Sequence, residues 1–216
     1  MGFLDETVTG QVRERFSELE GTVRLVVFTQ ELECQYCREN RDLMTEIAEL
    51  SDKIEIEVYN FQTDSDQVEK YGIDKIPATA IVGEKDYGIR CYGIPAGYEF
   101  SSLIEDIVDV SRGSVELGED VLAAIKDVNE PVHIQVFVTP TCPHCPGAVR
   151  SAHKLAIASD NITADMVEVS EFPQLAVKYG VRGVPKSVAN ETVDWVGNMS
   201  ESQVAGFVVQ AGSKSV

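Results

Sequence analysis

The sequence predicts an α/β protein of two tandem units, each a central mixed β-sheet flanked by helices. Two observations lead to this prediction. First, an apolar, β-rich run typical of a buried strand leads into a Cys-X-X-Cys pair twice, at Cys34/Cys37 and at Cys142/Cys145. Second, one constant shift of 108 residues relates the two cysteine pairs to each other, and it also maps Tyr71-Gly72 onto Tyr179-Gly180. An internal repeat of this length indicates two superposable βαβ-type units.

The elements of the first unit follow from hydrophobic periodicity and from turn residues. Apolar residues three and four apart indicate helices, and β-branched runs or strict alternation indicate strands. Glycine ends several of these segments. In order, we predict a helix over residues 3–19, a strand over 23–29, a helix from the cysteine pair to residue 50, a strand over 54–58, a short helix over 64–70, a hairpin of strands 78–82 and 87–92, and a closing helix over 97–110.

The second unit repeats this order, and residues 111–114 form the expected join between the units. We place the N-terminal unit at residues 1–114 and the C-terminal unit at 115–216. The predicted elements are a helix over residues 120–128, a strand over 132–138, a helix from the second cysteine pair to 159, a strand over 163–169, a short helix ending at Tyr179-Gly180, a hairpin turning near 190–191 and a last helix from Glu201.

The cysteine pairs are candidate redox sites because of their place between a strand and a helix. Unsatisfied backbone N–H groups and the helix dipole at a helix start stabilise a thiolate, which makes Cys142 the predicted nucleophile. Cys145, one turn further along, is the predicted resolving thiol that closes the disulfide. The repeat assigns the same roles to Cys34 and Cys37. Cys91, alone in a predicted strand, is expected to be a buried small apolar residue.

An X-Pro pair recurs at the same distance from each cysteine pair. Ile76-Pro77 and Val184-Pro185 both stand 43 positions after the first cysteine and just before a strand. Proline merely starting a strand is one interpretation. The other is a cis bond that turns the chain, so that Ile76 and Val184 present backbone groups to an extended substrate. Recurrence beside two dithiols favours the cis interpretation.

Composition and charge exclude several classes of function. The chain has 216 residues with 36 acidic and 18 basic side chains, a formal charge of −18 that repels phosphate backbones and anionic lipid heads. No apolar run approaches the roughly 20 residues of a membrane span. The N-terminus lacks the basic start and apolar run of a secretory signal. We therefore expect a cytoplasmic protein that binds neither nucleic acid nor membranes.

With its two dithiols and its two X-Pro pairs, nearly the whole chain resembles the archaeal and bacterial protein disulfide oxidoreductases. These glutaredoxin-like proteins consist of two thioredoxin folds, each with a Cys-X-X-Cys site. The resemblance implies a thiol–disulfide oxidoreductase related to protein disulfide isomerase, with no metal or organic cofactor, cis bonds at Pro77 and Pro185, protein substrates and a separate electron donor of the thioredoxin reductase type.

The dipeptides between the cysteines differ. Cys142-Pro143-His144-Cys145 departs from the Cys-Pro-Tyr-Cys often found at the family's C-terminal site. An imidazole at His144 that donates to a thiolate stabilises the reduced form, so we expect this pair to be the more oxidising one. Glu31 and Glu33 precede Cys34; their carboxylates either oppose thiolate formation there or are solvated charges without effect on it.

Two other functions remain open at this point. Four thiolates in paired motifs also suit zinc, but 104 residues separate Cys37 from Cys142, against roughly 12–20 in structural zinc sites. A non-catalytic protein with structural disulfides is the related alternative. Another is an electron relay from a thioredoxin reductase to a peroxidase. No Gly-X-Gly-X-X-Gly dinucleotide motif occurs in the chain, so such a relay needs a separate reductase.

Overall fold

A computed structural model describes residues 2–213, and it contains eight helices and eight strands within that range. The first half holds α1 (Glu6–Phe16), β1 (Val23–Thr29), α2 (Cys37–Ala48), β2 (Ile54–Asn60), α3 (Ser65–Tyr71), β3 (Ala78–Val82), β4 (Asp86–Tyr92) and α4 (Glu99–Arg112). The second half holds α5 (Glu119–Lys126), β5 (Val132–Val138), α6 (Cys145–Ala158), β6 (Ile162–Glu168), α7 (Pro173–Lys178), β7 (Lys186–Ala189), β8 (Val193–Val196) and α8 (Glu201–Gly212).

All eight strands belong to one sheet, in the order β2-β1-β3-β4-β6-β5-β7-β8. The strands of each unit form a mixed sheet, as predicted, and the two sheets join where β4 pairs in parallel with β6. No pattern in the sequence indicates this pairing. Because β3 runs antiparallel to both β1 and β4, while β4, β6 and β5 are parallel, β1 and β5 point the same way. Both dithiols therefore lie at the same edge of the sheet, which we call the dithiol edge.

The two faces of the sheet are covered unequally. The larger core lies under α1, α2, α4, α5, α6 and α8, and it extends across both units without a break. The other face carries a smaller aromatic cluster that includes Phe28, Tyr71, Tyr92 and Phe137 beside the short helices α3 and α7. The long helices thus hold the two units together on one side, and the sheet itself holds them together at the centre.

Helix boundaries show where local capping overrides periodicity. The first helix begins at Glu6 and not at residue 3, because the Asp5 side chain caps it by accepting from the Val8 N–H at 2.8 Å. The closing helix of the N-terminal unit runs from Glu99 to Arg112, two residues later than predicted at both ends. Gly113, with φ of +64°, ends it in the left-handed conformation.

In residues 2–213 no helix is both long and apolar enough to span a bilayer.

A buried ion-pair network joins α4 to α6 across the boundary between the units. Asp106, fully buried, accepts from Arg150 through one oxygen and lies 2.6 Å from His153 Nδ1 through the other. Arg150 also pairs with Asp109. Because charged groups away from water need full compensation, these helices are held in one relative position by the network.

We predict that Asp106→Ala lowers the free energy of unfolding by about 3–5 kcal/mol, because it leaves Arg150 and His153 without their shared buried partner. Asp160→Ala is the matched control: it breaks an exposed pair with Lys85 that also links the two units, and should cost at most about 1 kcal/mol. Urea unfolding measures both variants. Equal losses would show that the buried network does not hold the units together.

Candidate active sites

The N-terminal site lies where β1 leads into α2. Cys34 is half-buried in the loop after the strand, and Cys37 is the first residue of the helix, with only 1% of its surface exposed. The two sulfurs form a disulfide, with the Cα atoms 5.5 Å apart. Cys34 is therefore the more accessible cysteine of the pair.

The C-terminal site has the same arrangement between β5 and α6. Cys142 and Cys145 form a disulfide with a Cα separation of 5.5 Å, and the helix begins at Cys145, so the first cysteine lies just before the helix start. Cys142 is 8% exposed and Cys145 is fully buried. Both sites thus pair a more accessible first cysteine with a covered second one.

Both X-Pro bonds have the predicted cis form, at Ile76-Pro77 and at Val184-Pro185. Each proline stands at the start of a strand that pairs with the dithiol-bearing strand of its own unit, β3 with β1 and β7 with β5. At the C-terminal site the sulfur of Cys142 lies 3.8 Å from the carbonyl oxygen of Val184. The backbone before this proline thus lies directly beside the first cysteine of the C-terminal site.

His144 occupies the N-cap position of α6 and is exposed to solvent. Its side chain makes no capping hydrogen bond in the disulfide form. The expected donation to a thiolate concerns the reduced form, so the effect of His144 on the redox potential stays a prediction.

A connecting loop of the N-terminal unit contacts the loop that precedes the second dithiol. Residues 93–98, which we call the junction loop, join β4 to α4 and lie on the C-terminal unit. The Tyr98 N–H donates to the Pro140 carbonyl at 3.0 Å, two residues before Cys142. A side chain at Gly97, where φ is +60°, would overlap this same carbonyl. Glycine is therefore needed for the close approach between the junction loop and the second dithiol loop.

Glu99 follows the junction loop and begins α4 at the dithiol edge, beside the helix that begins at Cys145. The side chain is 2% exposed; its Oε2 accepts from Ser102 Oγ at 2.9 Å, and its Oε1 has no partner among the described residues. Burial raises the pKa of Glu99 to about 7. Near neutral pH this carboxyl group can both give and take a proton.

Three further glutamates meet at the dithiol edge between the two sites. Glu39 lies two residues after Cys37, and Glu168 and Glu171 lie at and after the end of β6. Each has one buried carboxylate oxygen without a hydrogen-bond partner among residues 2–213. Burial raises the pKa of Glu171 to about 7; the N–H of Ile94, which donates at 2.7 Å, opposes this rise, and the negative charges of Glu168 and Glu39 add to it. These three glutamates form a second group of buried carboxylates beside the junction loop, in addition to Glu99.

Cys91 lies in β4 and is 2% exposed, which confirms the predicted buried position. It is free of any disulfide. Burial raises the pKa of its thiol well above the usual value, and the nearby carboxylates of Asp106 and Glu99 add to that effect. A thiol that is neutral and covered does not act as a nucleophile.

Comparison with known proteins agrees with this geometry. A family model described as a thioredoxin domain matches twice, over residues 23–105 and 132–208. The chain belongs to the thioredoxin family. Each match contains one Cys-X-X-Cys dithiol and one cis-proline, so this thioredoxin-family protein carries two thioredoxin domains in tandem.

Two solved structures are similar over almost the whole chain. A protein disulfide oxidoreductase from Aeropyrum pernix is 30% identical with a TM-score of 0.90, covering 98% of this chain and 95% of that one. The NTD_N/C domain of alkylhydroperoxide reductase AhpF from Enterococcus faecalis is 25% identical with a TM-score of 0.89, covering 95% and 100%.

A curated relative shares sequence over most of this chain but is much longer. It is an NADH dehydrogenase of Bacillus subtilis, 24% identical over 203 residues, or 93% of this chain. The chain spans 37% of the length of that relative. The other 63% of that relative has no counterpart among the residues matched here, so functions located in that part cannot be transferred to this chain.

Glu99 was missed by the sequence analysis, and the repeat contains no signal for it. The 108-residue shift ends at the hairpins, because Gly93 and Gly197, which each bond the carbonyl of their own cis-proline, are 104 residues apart. The helix that follows begins with a glutamate in both units, at Glu99 and at Glu201. The helical periodicity of α4 gave no reason to single out this position. Glu99 is buried because α4 of the first unit packs against α6 of the second, and this contact between units is not visible in the sequence.

We predict that the free energy of unfolding falls as pH rises from about 4.5 to 7, and that Glu99→Gln flattens part of this fall. With a folded-state pKa of about 7 against an ordinary value of 4.5, Glu99 binds more protons in the folded state than in the unfolded one across this window, so raising the pH favours unfolding. Urea midpoints at several pH values measure the slope. Glu55→Gln, which removes an exposed carboxylate of β2, is the control and should keep the wild-type slope. An unchanged slope in Glu99→Gln would contradict the assignment.

Proposed function

We propose that this protein reduces, forms or isomerises disulfides of other proteins, using both dithiols through mixed-disulfide intermediates. The observation that carries the proposal is the repeated geometry: a first cysteine that is more exposed than the second, and a cis-proline loop, present in both units. A structural disulfide needs neither this difference in exposure nor the adjacent backbone surface. The likeness to the Aeropyrum pernix protein disulfide oxidoreductase supports the same activity.

The proposed reduction proceeds in two exchanges. The thiolate of Cys34 or Cys142 attacks one sulfur of a substrate disulfide, forming a mixed disulfide and releasing the other substrate sulfur as a thiolate. The thiolate of Cys37 or Cys145 then attacks the first cysteine, releasing the second substrate thiolate and closing the disulfide of the site. Two electrons pass to the substrate, whose two thiolates take up the two protons that the dithiol loses. Oxidation is the reverse sequence.

Glu99 is proposed to handle protons at the C-terminal site. Cys145 is fully buried and must lose its proton before it attacks Cys142. The carboxyl group of Glu99 starts the neighbouring helix at the same edge, and a pKa of about 7 suits both directions of transfer. The N-terminal unit therefore contributes a residue to the chemistry of the C-terminal one.

The two sites are proposed to differ in redox potential. His144 at the C-terminal site stabilises a thiolate and hence the dithiol form, whereas Glu31, which lines the groove beside Cys34, disfavours the thiolate of the N-terminal site. We therefore place the more oxidising pair at Cys142–Cys145. Electrons come from a separate reductase of the thioredoxin reductase type, and the activity takes place in the cytoplasm on protein dithiols and disulfides.

A second candidate function is an electron relay to a peroxidase. The observation that favours it is the likeness to the NTD_N/C domain of an alkylhydroperoxide reductase AhpF, which is 25% identical over 95% of this chain. The relay differs from the main proposal only in the acceptor. Faster exchange with a peroxidase disulfide than with disulfides of unrelated proteins would favour the relay.

We predict that Cys145→Ser and Cys37→Ser accumulate a mixed disulfide with a disulfide-bonded protein substrate, through Cys142 and Cys34 respectively. The reason is that the resolving thiol is removed while the accessible one remains. Each variant is made in a chain whose other dithiol is replaced by serines, and mass spectrometry identifies the cysteine that is bound. The matched variants Cys142→Ser and Cys34→Ser should trap little, because the remaining cysteine is buried. Equal trapping by both members of a pair would reverse or remove the assigned roles.

We predict different midpoints when each site is titrated alone in redox buffers. In the Cys34→Ser/Cys37→Ser chain the remaining pair should lie near the roughly −180 to −120 mV of isomerases and oxidases. In the Cys142→Ser/Cys145→Ser chain the remaining pair should lie closer to about −270 mV. His144→Ala should lower the first value because it removes the group that stabilises the thiolate. Two sites that both titrate near about −270 mV would contradict the role of His144 and indicate a reductase.

A further inference from the structure

The two cis-proline loops carry different charges at matching positions. Asp74-Lys75 precede Ile76-Pro77 in the N-terminal unit, and the 108-residue shift places Arg182-Gly183 at the same positions before Val184-Pro185. An acidic residue beside one site therefore corresponds to a basic residue beside the other.

The charges of the N-terminal loop neutralise each other. The ammonium group of Lys75 lies 2.6 Å from an oxygen of Asp74 and 3.6 Å from the ring centroid of Tyr92, and the lysine side chain is only 13% exposed. This lysine is folded back onto the protein and away from a substrate. The groove beside Cys34 is lined by charges of both signs, Glu31 together with Arg38 and Arg41, and both arginines pair with Asp42.

Arg182 has no such partner. It is exposed, and within residues 2–213 it forms no hydrogen bond or ion pair. A side chain at the adjacent Gly183 would meet no atom within 4 Å, so the space beside the arginine is open. Its guanidinium group is free to bind an incoming anion.

The distance to the reactive sulfur is short. The Val184 carbonyl oxygen lies 3.8 Å from Cys142 Sγ, and Arg182 is two residues earlier, at most about 7 Å along an extended chain. An arginine side chain spans a similar length. A substrate segment that pairs with the backbone at Val184 therefore passes within reach of the guanidinium group.

We propose that Arg182 makes the C-terminal site selective for protein segments with a carboxylate side chain within two residues of the reactive cysteine. This inference rests on the proposed disulfide exchange at that site. The formal charge of −18 repels acidic substrates from the molecule as a whole, and an unpaired arginine beside Cys142 offsets that repulsion locally. The N-terminal site, with Asp74 at the matching position, lacks this selectivity.

The test uses the Cys34→Ser/Cys37→Ser chain, in which only the C-terminal dithiol reacts. Its substrates are three disulfide-linked peptides that are identical except for Asp, Asn or Lys next to the cysteine. At low ionic strength the Asp peptide should react about threefold to fivefold faster than the Lys peptide, as expected for one exposed ion pair. The ratio should approach one at about 0.5 M salt, where exposed charges are screened.

Two variants separate a local effect from a general one. Arg182→Glu should reverse the preference, so that the Lys peptide reacts faster, whereas Arg13→Gln, which removes a positive charge from an exposed position of α1, should leave the Asp to Lys ratio unchanged. A ratio that is the same in Arg182→Glu and in the parent chain would overturn the proposal. If the parent chain exchanges with none of the three peptides and with no small neutral disulfide, the proposed function has failed, and the selectivity fails with it.

Discussion

The parallel pairing of β4 with β6 is the constraint on which the rest of the molecule depends. It joins two four-stranded sheets into one, with Cys91 of β4 opposite Met166 of β6 in the register. Because β1 and β5 then point the same way, both dithiols lie at one edge. A flexible link between two thioredoxin units would allow many relative orientations, whereas a shared sheet and the buried Asp106–Arg150 pair allow one.

The same joint makes the two sites chemically unequal. The junction loop reaches from Ile94, which binds Glu171, to Tyr98, which binds the Pro140 carbonyl beside the second dithiol. The junction loop is followed directly by Glu99, the first residue of α4. Within residues 2–213 the C-terminal unit makes no backbone hydrogen bond to the first dithiol loop, residues 30–36, so the contact has no counterpart there. Duplicated sequences have thus become different sites through their position in the sheet.

The sequence predicted most of what depends on local pattern. The strands 23–29, 78–82 and 132–138 have the observed bounds, because a buried strand is marked along its whole length by β-branched residues. Both cis bonds followed from the recurrence of Pro77 and Pro185. Helix starts were less accurate, since a single cap such as Asp5 decides them.

What the sequence did not reveal depends on contacts between the units. Nothing in the alternation of β4 shows that β6 is its neighbour, and nothing in the periodicity of α4 shows that this helix packs against α6. Arg182 looked like an ordinary loop residue until the structure showed that Lys75, at the following position of the other loop, is folded against Tyr92. These contacts join segments that are far apart in the sequence. The residue pattern of one segment alone does not show which other segment will lie next to it.

The most direct test of two working dithiols is a count of reactive thiols. The fully reduced chain is incubated with a disulfide-bonded protein substrate, and the remaining thiols are counted in the native and in the unfolded state. The account predicts that four of the five cysteines are oxidised reversibly, and that the fifth, Cys91, is detected only after unfolding. Loss of only two thiols would mean that one pair does not exchange, and loss of none would show that the cysteine pairs are not redox sites.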